Sequence, residues 1–281
     1  MKRGSGFAVA AVAALGLVLA PAMAREPDQT EADDKEGVKI GRMSILRSLV
    51  SEDKLEAQAG LQYEALTRKA YQEQALLKDD HPISQRVHGI ANKLLPHAGK
   101  FNERAKTWKW EINVINSPTV NAFCMPGGKI VVFTGIIDKL KMTDDEIALV
   151  VGHEIAHALR EHSRARAAKG TITNVLAIGA SIVTGSNAVG QLASVGGDLL
   201  GRRFSRNDET EADLVGMELA ARAAYDPRSG IGLWEKMSQL SKSAPPQWLS
   251  THPSSVNRVQ TFKTNVKDVI HLYEKAKGQA Q

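Results

Sequence analysis

The 281-residue chain has a single cysteine, Cys124. It therefore carries neither an internal disulfide framework nor a four-cysteine zinc site. No apolar run reaches the ~20 residues that a spanning helix needs. The run of apolar and small residues over 7–20 is only 14 long, and the Ala/Gly/Ser-rich apolar stretch over 170–200 is broken by glycines. A polytopic membrane protein is excluded. With 43% hydrophobic and 24% charged residues, so are a fully disordered and a collagen-like chain. Internal repeats are absent too. Charge of one sign is scarce: 36 Lys+Arg against 31 Asp+Glu give +5, a mild excess of the kind that can suit nucleic acid or an anionic membrane surface.

Part of that excess belongs to the N-terminus. Lys2 and Arg3 precede the 7–20 run, and Pro21 and Ala22-x-Ala24 follow it. This is the layout of a signal peptide over 1–24, cut after Ala24; an uncleaved anchor is the alternative. Without Lys2 and Arg3 the balance is 34 minus 31, or +3. With an export signal, the nucleic-acid reading loses its support, and a periplasmic location is expected. Residues 25–40 are polar and mostly acidic and read as a disordered lead-in. Residues 41–281 form the remaining domain.

Within it, leucines and tyrosines at near-helical spacing predict one or two amphipathic helices over 52–78, and Ile83–Leu95 predicts another before Pro96. Alternation from Trp108 to Asn116 predicts a strand, with Trp108 and Trp110 in the sheet core. Lys129–Thr134 predicts a second strand after the Pro126-Gly127-Gly128 turn. Thr143 and Glu146 form a capping box opening a helix to about His162. Further helices are expected over 170–200, 209–224, 231–240 and 254–275, with an irregular loop from Pro245 to Pro253. The class is α+β: mostly helical, with a small mixed sheet beside the helix that Thr143 opens.

His153-Glu154-Ile155-Ala156-His157 lies on the capped helix. Residues i and i+4 share a helix face, so two imidazoles aim at one point and can bind zinc. Glu154, beside the first ligand, is placed to act as general base on a water whose pKa the metal lowers. A catalytic zinc takes a third protein ligand. Glu209 and Asp213 share one face of a later helix, so Glu209 is the expected ligand and Asp213 its neighbour orienting a ligand histidine. Glu211 is the competing ligand. His162, five residues after His157, reads as a surface residue. Cys124 reads as a buried bystander.

The combination resembles the gluzincin zinc metallopeptidases. Within them it is most similar to the HtpX/CAAX-prenyl-endopeptidase family, in its soluble periplasmic BepA-like and mitochondrial quality-control-protease-like branch. The matching segments are His153-Glu154-x-x-His157 with Glu209-x-x-x-Asp213, Asn121-Ala122-Phe123 before Pro126-Gly127-Gly128, Thr143–Glu146, and Ser250-Thr251-His252-Pro253 with Arg258. A tetratricopeptide repeat domain, present in some relatives, is not expected in this chain.

The resemblance implies a zincin-type domain with one zinc ion per chain. It places His252 on a loop over the metal, as oxyanion stabiliser or as occupant of the water position in a latent state, and gives Arg258 the charge of the tetrahedral intermediate. It makes the strand near Phe133 the edge on which an extended substrate pairs. The implied activity is endoproteolysis of misfolded or unassembled envelope proteins. Contact with the membrane surface or outer-membrane assembly machinery is a further expectation. A chaperone or assembly factor with little proteolysis is the alternative.

Overall fold

The structure, a computed structural model, describes residues 36–169, 203–243, 247–252 and 256–279. The expected signal peptide, most of the lead-in and the 170–200 stretch lie outside the described residues. The last part of the lead-in is held in place rather than loose: Val38 N–H donates to Glu218, and the Glu36 carbonyl accepts from Lys100. Glu218 is fully buried and paired with Lys100 and Arg222, so a strap passing over it satisfies an otherwise costly charge.

Helix α1 (Glu52–Gln72) starts on a Ser51 cap and buries Leu55, Ala59, Tyr63, Leu66 and Ala70 along one stripe. It is a single helix ending before Gln74, whose φ of 55° turns the chain. Leu76 and Leu77, expected in the helix, instead run antiparallel to the first strand, with Leu77 N–H donating to the Val114 carbonyl. Helix α2 (Pro82–Leu94) follows, with proline in its first turn.

The sheet has three strands, β1 (Glu111–Ile115), β2 (Ala122–Met125) and β3 (Lys129–Phe133), in the order β1-β3-β2. β1 and β3 are parallel; β2 and β3 are antiparallel. This corrects two expectations. The Ser117–Gly128 connection contains a strand of its own, and β3, with Phe133, is the interior strand rather than the edge. Trp108 and Trp110 precede β1; their indoles donate to Glu56 and to the Ala105 carbonyl.

After the short α3 (Thr134–Leu140), α4 (Asp144–Leu159) carries the His-Glu-x-x-His residues. Its capping box is formed as expected: Thr143 Oγ1 accepts from Glu146 N–H, and Thr143 N–H donates to Glu146 Oε2 at 2.9 Å. Every residue from Glu146 to Leu159 is buried, so α4 is the central helix of the core. It ends at Glu161, whose φ of 54° is left-handed. The chain then restarts as α5 (His162–Lys169).

Helix α6 (Arg206–Arg222) crosses α4, opened by a second capping box, Ser205 with Asp208. Helices α7 (Ser229–Ser243) and α8 (Gln247–Thr251) follow; the second replaces part of the expected irregular loop. The expected last helix is two, α9 (Val256–Asn265) and α10 (Ile270–Gln279), separated by one 3-10 turn.

The α4–α6 crossing is set by two glycines. A Cβ on Gly216 would lie 2.6 Å from the His153 nitrogen, and one on Gly152 would lie 2.9 Å from the Gly216 carbonyl oxygen. Only bare backbone allows this approach. In an isolated helix Gly→Ala stabilises by about 1 kcal/mol. Gly216→Ala is expected to do the reverse, lowering unfolding stability by about 2 kcal/mol as overpacking does; chemical denaturation measures the sign.

Candidate metal centre

The crossing delivers the acidic turn of α6 onto the histidine face of α4. One ligand atom each from His153, His157, Glu209 and His252 lies within 4.8 Å of the others, and all four residues are buried. His153 Nε2 is 3.0 Å from His157 Nε2 and 3.3 Å from His252 Nδ1. Glu209 oxygens lie 3.6 Å from His157 Nε2, 3.7 Å from His153 Nε2 and 3.1 Å from His252 Nδ1. Tetrahedral zinc with bonds of 2.0–2.1 Å places its donors roughly 3.3 Å apart, in the middle of this range.

The protonation states fit the same ion. Burial above all pushes both helix imidazoles well below the usual histidine value, and Arg258 adds to this for His153. They are neutral, with a lone pair to offer. His153 Nδ1 is 3.1 Å from Asp213 Oδ1; donating its proton there leaves Nε2 bare. Two bare nitrogens 3.0 Å apart beside a carboxylate form a set that a cation stabilises. Glu211 lies outside this set: it bonds Arg160 and faces His162.

Arg258 sits beside both carboxylates and against the His153 ring, with one guanidinium nitrogen 3.0 Å from His153 Nδ1 and 3.4 Å from His153 Nε2. Its guanidinium donates to Glu209 Oε2 and to both Asp213 oxygens, with Nε 2.7 Å from Oδ2, and lies 3.5 Å over the Trp234 ring. Burial raises the Asp213 carboxyl and Arg258 works against that. Burial opposes charge on Glu209 as well, but His252 and Arg258 outweigh it and hold its carboxyl low. A guanidinium committed to two carboxylates in this way positions them.

Glu154 is 1% exposed. Burial raises its carboxyl to about 7. Its Oε1 accepts from the Trp248 indole at 2.6 Å and lies 3.6 Å from His252 Nε2. Trp248 stacks on His252, with centroids 4.8 Å apart, and its backbone N–H holds the Val120 carbonyl just before β2. Helix α8 therefore closes over Glu154. Phe204 stacks on His157 at 3.7 Å, and its N–H donates to Thr251.

Trp248, Phe204 and His162 escaped the sequence reading. Trp248 and Phe204 carry no spacing signal. His162 was legible only if the helix break at Glu161 had been foreseen; it is 4% exposed, not a surface residue. Cys124 is buried, and burial pushes its thiol well up, so it stays protonated.

β2 packs on α4 and is the sheet edge on that side. Phe133 N–H donates to the Asn121 carbonyl, so by strand parity the Ala122 and Cys124 backbone groups point away from β3.

A buried helix offering two imidazoles, crossed by a second helix that brings a carboxylate, is the arrangement of a metallopeptidase domain. The model of peptidase family M48 matches residues 83–266, and the chain belongs to that family. Over 226 residues it is 33% identical to the mitochondrial metalloendopeptidase OMA1 of Saccharomyces cerevisiae, covering 76% of this chain and 64% of that protein. Over 183 residues it is 31% identical to the metalloprotease LoiP of Escherichia coli, covering 64% and 69%. Over 202 residues it is 26% identical to the beta-barrel assembly-enhancing protease of Yersinia pestis, covering 68% and 40%. The chain thus spans less than two thirds of the OMA1 and Yersinia proteins. Among the described residues no helix is long and apolar enough to cross a membrane.

Glu209→Gln is expected to weaken zinc binding by more than about 100-fold, beyond what changes around a ligand cause, while Glu211→Gln keeps about one zinc per chain through dialysis. Elemental analysis of the two variants measures this.

Proposed function

We propose that this chain is a zinc-dependent endopeptidase of the bacterial cell envelope that hydrolyses misfolded or unassembled proteins. The observation that carries the chemistry is the meeting of four donors beside a buried carboxyl, Glu154. His153, His157 and Glu209 would hold one zinc ion. Bound there, zinc supplies Lewis-acid chemistry, polarising the scissile carbonyl and lowering the pKa of water. Glu154 takes the proton of the attacking water and returns it to the leaving amine. Asp213 and Arg258 hold His153 and Glu209 in place.

In the conformation described His252 would offer such an ion a fourth donor, and Trp248 shields Glu154. A donor set filled by protein is the pattern of a closed zinc site, whereas catalysis needs one position open. The latent arrangement of His252 is therefore the reading the geometry favours over an oxyanion role. To admit substrate, α8 moves off Glu154 and an extended peptide pairs with β2, the edge strand. Pairing through backbone groups favours unfolded segments of loose sequence.

The envelope assignment rests on the signal-peptide layout of residues 1–24 and on similarity to LoiP. The chain is also similar to OMA1, which is a mitochondrial protein. Contact with outer-membrane assembly machinery is supported by the name of the Yersinia relative. Glu154 separates an enzyme from a pure chaperone, because holding a substrate needs no general base.

Glu154→Gln is expected to keep one zinc per chain and lower casein hydrolysis by about 100-fold or more. Wild-type protein that binds zinc yet never cleaves an unfolded substrate would favour the chaperone reading.

A further inference from the structure

The two helix histidines are supported differently. His153 has the Asp213 carboxylate at its Nδ1, while His157 has another imidazole: its Nδ1 is 2.9 Å from His162 Nδ1. Two ring nitrogens at that distance share one proton, donated by one and accepted by the other. His157 offers Nε2 to the donor cluster, 3.0 Å from His153 Nε2, so its proton sits on Nδ1. His162 Nδ1 is then the acceptor, and His162 carries its own proton on Nε2. That nitrogen faces Glu211 Oε2 at 3.4 Å and Asp208 Oδ1 at 3.9 Å. Glu211 is in turn fixed by Arg160 Nε at 2.9 Å, and a second Arg160 nitrogen holds the Gly41 carbonyl of the N-terminal strap.

Backbone geometry makes this contact possible. In a continuous helix a residue at i+5 lies roughly 140° around from residue i. The left-handed Glu161 interrupts the helix, and α5 brings the His162 ring back against His157, with centroids 5.0 Å apart. Both residues and Arg160 are buried, so the tautomers are set by these partners rather than by solvent.

We propose that His162 and Glu211 are positioning residues for the second metal-ligating imidazole. His162 fixes the tautomer and ring plane of His157 and ties that ring, through its own Nε2, to Glu211. This rests on the zinc reading above. On it, the three acidic residues of Glu209-x-Glu211-x-Asp213 serve one centre: Glu209 as donor, Asp213 behind His153, and Glu211 behind His157 through His162.

The test is the zinc dissociation constant of the purified full chain, read by competition with a chromophoric chelator, with the cobalt(II) absorption spectrum as a second reading. His162→Phe is expected to weaken zinc binding roughly 10- to 100-fold, the usual range for such partners, and to alter the cobalt spectrum. His162→Asn, whose amide oxygen can accept from His157 Nδ1, is expected to stay within a few-fold of wild type. Glu211→Gln is expected to fall between them. If His162→Phe does not fold, the Asn and Gln variants carry the test. Wild-type affinity in both His162→Phe and Glu211→Gln overturns the proposal, and so does equal weakening in His162→Asn and His162→Phe, which would mean packing alone. Wild-type protein that binds no zinc overturns the reading beneath it, a distinct result.

Discussion

Everything in this domain depends on the close crossing of α4 and α6 at Gly152 and Gly216. Two helices that bury side chains between them normally sit 8–10 Å apart; a contact through glycine backbone brings them closer. A methyl group on Gly216 would meet the His153 nitrogen at 2.6 Å. The approach carries the short acidic side chains of α6 to the imidazoles of α4, and it fixes how far Glu209 must reach. Loss of the contact would move ligands on two elements relative to each other, not one side chain alone.

The cost of this arrangement is electrostatic. Glu209, Asp213 and Glu154 are all 3% exposed or less, and unpaired buried carboxylates are strongly destabilising. Arg258 meets that cost for two of them from α9, with Trp234 behind it. Glu154 is left out of the pairing. Burial leaves it with a carboxyl near 7 and, among the described residues, one hydrogen bond, from the Trp248 indole. In the proposed mechanism the carboxyl that exchanges a proton is thus the one without a fixed cation among the described residues, while those that stay ionised share one.

The centre was the most legible part of the sequence, because its signals are local. The i, i+4 histidines, the Thr143 capping box and the i, i+4 pair Glu209 and Asp213 each depend only on helix periodicity. What the sequence hid depends on long-range contacts or on backbone sign. β2 is buried on both faces, so Ala122–Met125 shows no alternation. Leu76 and Leu77 kept helical spacing although Gln74 had already turned the chain. His162 looked exposed because the break at Glu161 is invisible in residue types; the sterics of a glutamate argue against φ of 54°. Helix α8 is only five residues long, too short for a periodic pattern, yet it determines whether Glu154 can be reached.

The most direct measurement is X-ray absorption at the zinc edge on the purified, resting chain. The expected result is one zinc per chain with a nitrogen and oxygen shell near 2.0–2.1 Å, three imidazoles among its ligands, and no sulfur near 2.3 Å. A chain that purifies folded without zinc, or a shell containing sulfur from Cys124, would contradict it.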